Sequence, residues 1–298
     1  MEKKLPSKIT LVEVGPRDGF QFEKKVMPTA LKKEIILGLI KAGLKNIQVT
    51  SFVHPRKVPQ MADAEALMAC LPKYEDVNYS ALVLNTKGIE RAHAAKVKTV
   101  EISISASDTH SRKNAGVSFE KALAQSRGMI LRAKQYKMKI RAGLQCAFGC
   151  AYEGPIAPER VIKVFTEFLS LGCDMLAIAD TTGMADPNAV KKLITQLLKL
   201  SGNVPIALHF HDTRGLGLVN LMAALECGIS HFDTALAGMG GCPFVPKASG
   251  NISTEDTAFL LKSLEIETGI DILQVSACSK KVEQFFAKTF PGKLHQII

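Results

Sequence analysis

The sequence predicts a single α/β domain built as a closed (β/α)8 (TIM) barrel, on three observations: eight short β-branched runs, segments of helical period between them, and no Pro-, Gly- or Ser-rich linker to divide the 298 residues. An open, doubly wound sheet is the alternative. Barrels of this class use such a length as one domain around one core. The expected domain covers 1–298, with the barrel at about 9–266 and a C-terminal helical extension at about 267–298.

In chain order the expected strands run from Ile9 to Val14, Asn46 to Val53, Val77 to Leu84, Thr99 to Ser105, Lys139 to Cys146, Met175 to Ala179, Pro205 to His211 and His231 to Ala237. Between the first two, Leu31, Ile35, Ile36, Leu39 and Ile40 form one apolar stripe at helical spacing, closed by Gly43. Ala157-Pro158 and Asp186-Pro187 place proline in a first helical turn, and Ser253 with Asp256 has capping-box spacing. A further helical stretch from Ile270 to Lys288 is expected to pack on the barrel flank or to help make an oligomer.

Composition narrows the function. A chain that is 47% hydrophobic and 22% charged is ordinary globular material, and no apolar run approaches the roughly 18 residues of a membrane helix, so no membrane is expected as a partner. The N-terminal MEKKLPSKIT has no apolar h-region, which points to the cytoplasm. Seven scattered cysteines read as free thiols in a reducing compartment. The net charge of +10 is spread along the helices without an RNA-binding motif or helix-turn-helix signal, so no nucleic acid is expected. An anionic small substrate, such as a phosphate-bearing cofactor ester, is the better use of that charge.

In such a barrel the chemistry sits at the C-terminal ends of the strands. Strand one finishes in Gly15-Pro16-Arg17-Asp18-Gly19, strand six in Asp180-Thr181-Thr182-Gly183 and strand seven in His209-Phe210-His211-Asp212. Period-two alternation puts His209 and His211 on one side, where they can share a metal ion. Asp18 supplies a carboxylate and Asn251 an amide oxygen. This mixed oxygen and nitrogen set suits an octahedral Mg²⁺ or Mn²⁺ with positions open to substrate. Arg17, between glycines at a strand end, is placed to stabilise an enolate or thioester oxygen. The glycine-rich stretch from Gly238 to Gly250 reads as a lid, and Cys242 within it is either a small filler or a thiol delivered to the site. His231 opens strand eight at the far end and reads as a structural or surface histidine, while His54, His93, His110 and His295 carry no spacing signal.

The strings VEVGPRDGFQFEK, SFV-P-KVPQM, CAFGC-YEG, HFHDT and GGCPF-PKASGN-STED, in that order between Leu11 and about Leu264, resemble the hydroxymethylglutaryl-coenzyme A lyases. The resemblance implies a divalent cation, an acyl-CoA substrate, a homodimer and retro-Claisen cleavage of a 3-hydroxyacyl-CoA into acetyl-CoA and a keto acid. It carries the metal ligands onto Asp18, His209, His211 and Asn251, enolate stabilisation onto Arg17 and proton transfer onto Cys242. Asp180 matches a further polar residue of the site and Glu255 one that supports the ligand loop. Gln21, Lys24 and Ser51 fall where the family contacts the acyl part or CoA. The base for the C3 hydroxyl is left among Asp18, His209 and Asp180.

Two positions depart from the pattern. Ile47-Gln48-Val49-Thr50-Ser51-Phe52 has an amide where the family has a glutamate, so Arg17 is expected to lose a counter-charge at this acyl-binding position. Arg214 stands where better-known members have tyrosine, and an added cation there would favour a different acid tail, as in citramalyl-CoA or a longer branched 3-hydroxyglutaryl-CoA. A condensing synthase would carry His-x-His-Asn-Asp and a regulatory domain, and a biotin-dependent carboxyltransferase a Met-Lys-Met acceptor. A non-catalytic barrel that binds CoA esters is the reading from a different class; the full ligand set argues against it.

Overall fold

Eight parallel strands close on themselves in chain order: β1 (Thr10–Glu13), β2 (Asn46–Ser51), β3 (Asn78–Val83), β4 (Thr99–Ser105), β5 (Lys139–Gln145), β6 (Met175–Asp180), β7 (Ile206–Phe210) and β8 (His231–Thr234). β8 pairs back onto β1, with Thr10 opposite His231, which completes the barrel rather than an open sheet. This computed structural model describes residues 5–241 and 249–298.

Each expected strand is present. Several end a few residues early, because their last residues leave the ladder to build the loops at the barrel mouth. His211 lies just past β7 and pairs instead with Asn251, and residues Leu236–Gly238 form a 3-10 turn after β8. One register irregularity falls between Gln48 and Thr50 on β2, a bulge of the kind that re-aims side chains near sites.

The helices follow the predicted caps. Asp186 accepts from the N–H groups of Asn188 and Ala189, and Ser253 from that of Asp256 at 3.2 Å. Helix Pro158–Ser170 buries Val161, Val164, Phe165 and Phe168, a stripe at three- and four-residue spacing turned to the barrel. Between β4 and β5 the chain inserts an extra short helix, Asp108–Ala115, before the long helix Phe119–Gln135.

The C-terminal helix Ile272–Phe286 lies on the barrel flank against helix Thr29–Lys41. Their approach is close enough that a Cβ at Gly38 would meet Cys278 Sγ at 2.5 Å. Beyond that helix the chain reaches back to the loop after β8: Gly292 N–H donates to the Ala237 carbonyl at 2.9 Å, and the N–H groups of Lys293 and Leu294 reach the Asp256 carboxylate. The extension thus braces the segment that carries Asn251. No helix among the described residues is long and apolar enough to cross a membrane.

A candidate metal centre at the barrel mouth

Asp18 sits in a five-residue π turn, Gly15–Gly19, that carries β1 over the mouth of the barrel. His209 points inward from β7 and His211 follows it on the same side, with their Nε2 atoms 3.0 Å apart. Asp18, His209 and His211 each offer a ligand atom, all within 4.8 Å of one another. Asn251 is brought in by three backbone bonds: its N–H to the Met239 carbonyl at 3.1 Å, Asp212 N–H to the Gly250 carbonyl at 3.0 Å and Ile252 N–H to the Phe210 carbonyl at 3.1 Å. Asn251 Nδ2 donates to Asp18 Oδ2 at 2.9 Å and to the Met239 carbonyl at 2.9 Å.

This donor set fits a divalent cation. Asn251 Oδ1 is buried without a hydrogen-bond partner, an orphaned acceptor beside a carboxylate and two imidazoles. Gly240 completes the fit: at φ +105 it passes so close that a Cβ would meet Asn251 Nδ2 at 2.5 Å and Asp18 Oδ2 at 3.0 Å.

Electrostatics keep the cluster ready for a positive ion. Burial works to raise Asp18, but the Arg17 guanidinium and the two imidazoles hold its carboxyl below the usual carboxylate range. Burial and the neighbouring His209 push His211 down to about 3, so its imidazole is neutral. For His209 burial acts downward, and the hydrogen bond and charge of Asp233 outweigh it. Asp233 Oδ2 lies 3.1 Å from His209 Nδ1 and accepts from Arg141 Nη2 at 2.6 Å. Burial alone would raise this acid, yet Arg141 and His209 bring it to about 2. A carboxylate on Nδ1 leaves Nε2 free to face the centre.

Arg17 Nη1 pairs with Asp18 Oδ1, and Arg17 Nε donates to Gln48 Oε1. Gln48 Nε2 donates onward to Glu101 Oε2 at 2.7 Å. Arg17 therefore keeps a counter-charge despite the amide at position 48. A cavity of about 350 Å³ opens beside these groups, walled by Arg17, Asp18, Gln21, Glu101, His209 and His211 among others. It adjoins a second cavity of about 320 Å³ that shares Gln21, Leu84, Ser103, Asn114 and Gln145 and is edged by His54 and Lys57.

Other expected site residues fall elsewhere. Asp180 is fully buried behind the wall; its two oxygens accept from the N–H groups of Met184 at 2.8 Å and Ala185 at 3.1 Å, and burial raises it to about 6. It holds the turn after β6. Arg214 is no free cation for an acid tail, because its Nη1 donates to the carbonyls of Thr182 at 2.7 Å and Gly183 at 2.6 Å. Lys24 is exposed and does not line the cavity. Ser51 is buried and reaches the cavity only through Gln21, at 3.3 Å. Glu255 accepts from Ala237 N–H and Ser253 Oγ, and from Ser279 of the C-terminal helix, so it anchors the loop after β8. Cys242 lies outside the described residues, as does most of the predicted lid. His231 bonds its neighbour Ser230 at the far end of β8, as a structural histidine should.

Sequence reasoning missed Glu101, Arg141 and Asp233, each a charged residue amid the apolar positions of a strand. It also passed over His110, which the extra helix Asp108–Ala115 delivers to the cavity wall.

Comparison with known proteins agrees with this fold. The profile of the HMGL-like family matches residues 8–282. The mitochondrial hydroxymethylglutaryl-CoA lyase of Rattus norvegicus is 40% identical over 292 residues, 98% of this chain and 90% of that protein. The cytoplasmic 3-hydroxy-3-methylglutaryl-CoA lyase of Danio rerio is 41% identical over 272 residues, 91% of this chain and 81% of that protein. Among solved structures, a hydroxymethylglutaryl-CoA lyase from Pseudomonas aeruginosa superposes with a TM-score of 0.94 at 36% identity, covering 98% of this chain and 97% of the other. An HMG-CoA lyase from Acinetobacter baumannii in complex with coenzyme A and 3-methylmalate gives a TM-score of 0.93 at 35% identity, covering 98% and 95%. The carboxyl transferase domain of Rhizobium etli pyruvate carboxylase, at 15% identity and a TM-score of 0.69, shares the fold alone. The chain belongs to the HMGL-like family.

Proposed function

We propose that this chain is a lyase that cleaves 3-hydroxy-3-methylglutaryl-CoA to acetyl-CoA and acetoacetate. The observation that carries the reading is the set Asp18, His209, His211 and orphaned Asn251 Oδ1, standing with Arg17 over one cavity. The C3 hydroxyl gives its proton to a base, the C2–C3 bond breaks, and the electron pair leaves as the enolate of acetyl-CoA, which is then protonated at carbon. Asp18, His209, His211 and Asn251 would hold a divalent cation, which would supply Lewis acidity toward the C3 hydroxyl. Arg17 stabilises the enolate oxygen, its guanidinium being fixed by Gln48 and Asp18. Of the three candidate bases, Asp18 and His209 line the cavity and Asp180 does not. Cys242 is assigned the protonation of the enolate carbon, on resemblance.

The adjoining cavity is assigned to the pantetheine arm, with Lys57 and His54 in its lining for phosphate. Gln21, with Ser51 behind it, contacts the acyl part; Lys24 is left to the outer portion of CoA. Oxygen and nitrogen donors without thiolate favour Mg²⁺ or Mn²⁺. The chain works as one domain, as a homodimer and in the cytoplasm; the free thiols of Cys70, Cys150, Cys173, Cys227 and Cys278 fit a reducing compartment.

The test is an assay of the purified protein with Mg²⁺ or Mn²⁺ against hydroxymethylglutaryl-CoA and citramalyl-CoA in parallel, following acetyl-CoA. Cleavage of the first is expected. Cleavage of the second alone, or of neither, would overturn the assignment.

A further inference from the structure

The barrel interior holds a carboxylate to which the lyase chemistry assigns no part. Glu101 stands on β4, is buried, and lines the cavity. Its Oε2 accepts from Gln48 Nε2 at 2.7 Å and lies 3.5 Å from Arg141 Nε. Gln48 has no exposed surface, and its Oε1 accepts from Arg17 Nε. Arg141 in turn holds Asp233, which holds His209. A single run of polar contacts therefore joins Arg17 to His209 across the barrel floor, with Glu101 in the middle.

The chemistry of the three groups fixes their order. A guanidinium only donates, an ionised carboxylate only accepts, and a primary amide has one end of each kind. An amide between Arg17 and Glu101 satisfies both neighbours. A carboxylate at position 48 would instead set two acceptors face to face in a buried setting. The amide at position 48 thus suits an acid at position 101.

We propose that Glu101 is a positioning residue for Arg17, acting through the Gln48 amide. Glu101 holds the NH2 end of the amide, so the carbonyl end is presented to Arg17 Nε and the guanidinium is kept over the cavity beside Asp18. The proposal rests on the reading of Arg17 as the group that stabilises the enolate. It also makes the acid and amide exchangeable as a pair. With Q48E and E101Q together, Arg17 donates to the carboxylate now at position 48, whose second oxygen accepts from the amide now at position 101, and the net charge is unchanged.

The experiment is a double-mutant cycle on E101Q, Q48E and the combined variant, reading kcat and KM with saturating Mn²⁺ and the melting temperature of each protein. E101Q is expected to lower kcat about tenfold with KM within about twofold, because Arg17 acts chiefly on charge formed in the transition state. Q48E is expected to lose about a hundredfold, and the combined variant to return to within about fivefold of wild type. A structural role alone would raise KM and lower kcat together, whereas loss of Arg17 positioning falls on kcat. Wild-type kcat in E101Q, or a combined variant no better than the product of its parents, overturns the proposal. Should Q48E fail to fold, the gain in kcat on adding Q48E to E101Q is read alone, and its absence is decisive. An inactive wild-type protein would sink the lyase reading instead; the melting temperatures then decide the pairing, with the combined variant expected nearer wild type than either parent.

Discussion

Asp18 brings the carboxylate to a cluster otherwise made of two imidazoles and an amide, and its exchange for asparagine removes the charge while keeping the shape. Asp18→Asn is expected to lower turnover by about three orders of magnitude or more with saturating Mn²⁺, since the cation would be both weakly held and under-neutralised. The metal-free melting temperature should stay close to wild type; turnover equal to wild type would remove Asp18 from the centre. Asp233 acts one bond further out, on His209 Nδ1. Its exchange for asparagine weakens the acceptor that orients the ring, so Mn²⁺ affinity measured by calorimetry should fall by about 10- to 100-fold. An unchanged affinity would make the Asp233–His209 contact incidental.

The loop after β8 and its bracing helices set where Asn251 stands. Glu255 joins three of these pieces, and Glu255→Ala strands the buried Ala237 N–H and the Ser253 and Ser279 hydroxyls. A loss of about 3 kcal/mol in urea denaturation is expected, with weakened metal binding beside it; a loss confined to stability would separate the loop from the centre. Glu13, at the end of β1, is buried under the same loop and accepts from Gly15 N–H, Leu236 N–H and Thr254 Oγ1. Burial pushes it up to about 8, against those hydrogen bonds, from an ordinary value of 4.5. Between these values the folded chain holds a proton that the unfolded chain has released, so this group's contribution to stability is full below about 4.5 and is lost as pH rises through about 8. Denaturation at pH 6 and pH 9 should therefore show a steeper fall for wild type than for Glu13→Gln; equal falls would contradict it. The elements also show what could be read in advance. The strands were legible because each is a short apolar run between helical stripes, and Asp18, His209 and His211 because polar residues end those runs. Glu101, Arg141 and Asp233 were not. The alternation Glu101-Ile102-Ser103-Ile104 looks like a strand with one wet face, and only closure of the barrel turns that face into the cavity wall. Arg214 misled for the opposite reason: its neighbours in sequence suggested the site, while the nearest acceptors in space are backbone carbonyls.

At the scale of the whole molecule, barrel closure and the C-terminal brace bring residues 18, 209, 211 and 251 from three separate chain regions to one mouth, and the polar interior below them joins Arg17 to His209. A +10 chain with Lys57 lining the adjoining cavity also suits an anionic substrate at that mouth. The most direct measurement is the rate of acetyl-CoA release from hydroxymethylglutaryl-CoA by protein stripped with chelator, then with Mn²⁺ restored in steps. Release is expected to fall below about 1% in chelator and to recover in full with Mn²⁺; an undiminished rate in excess chelator would contradict the metal centre and the mechanism built on it.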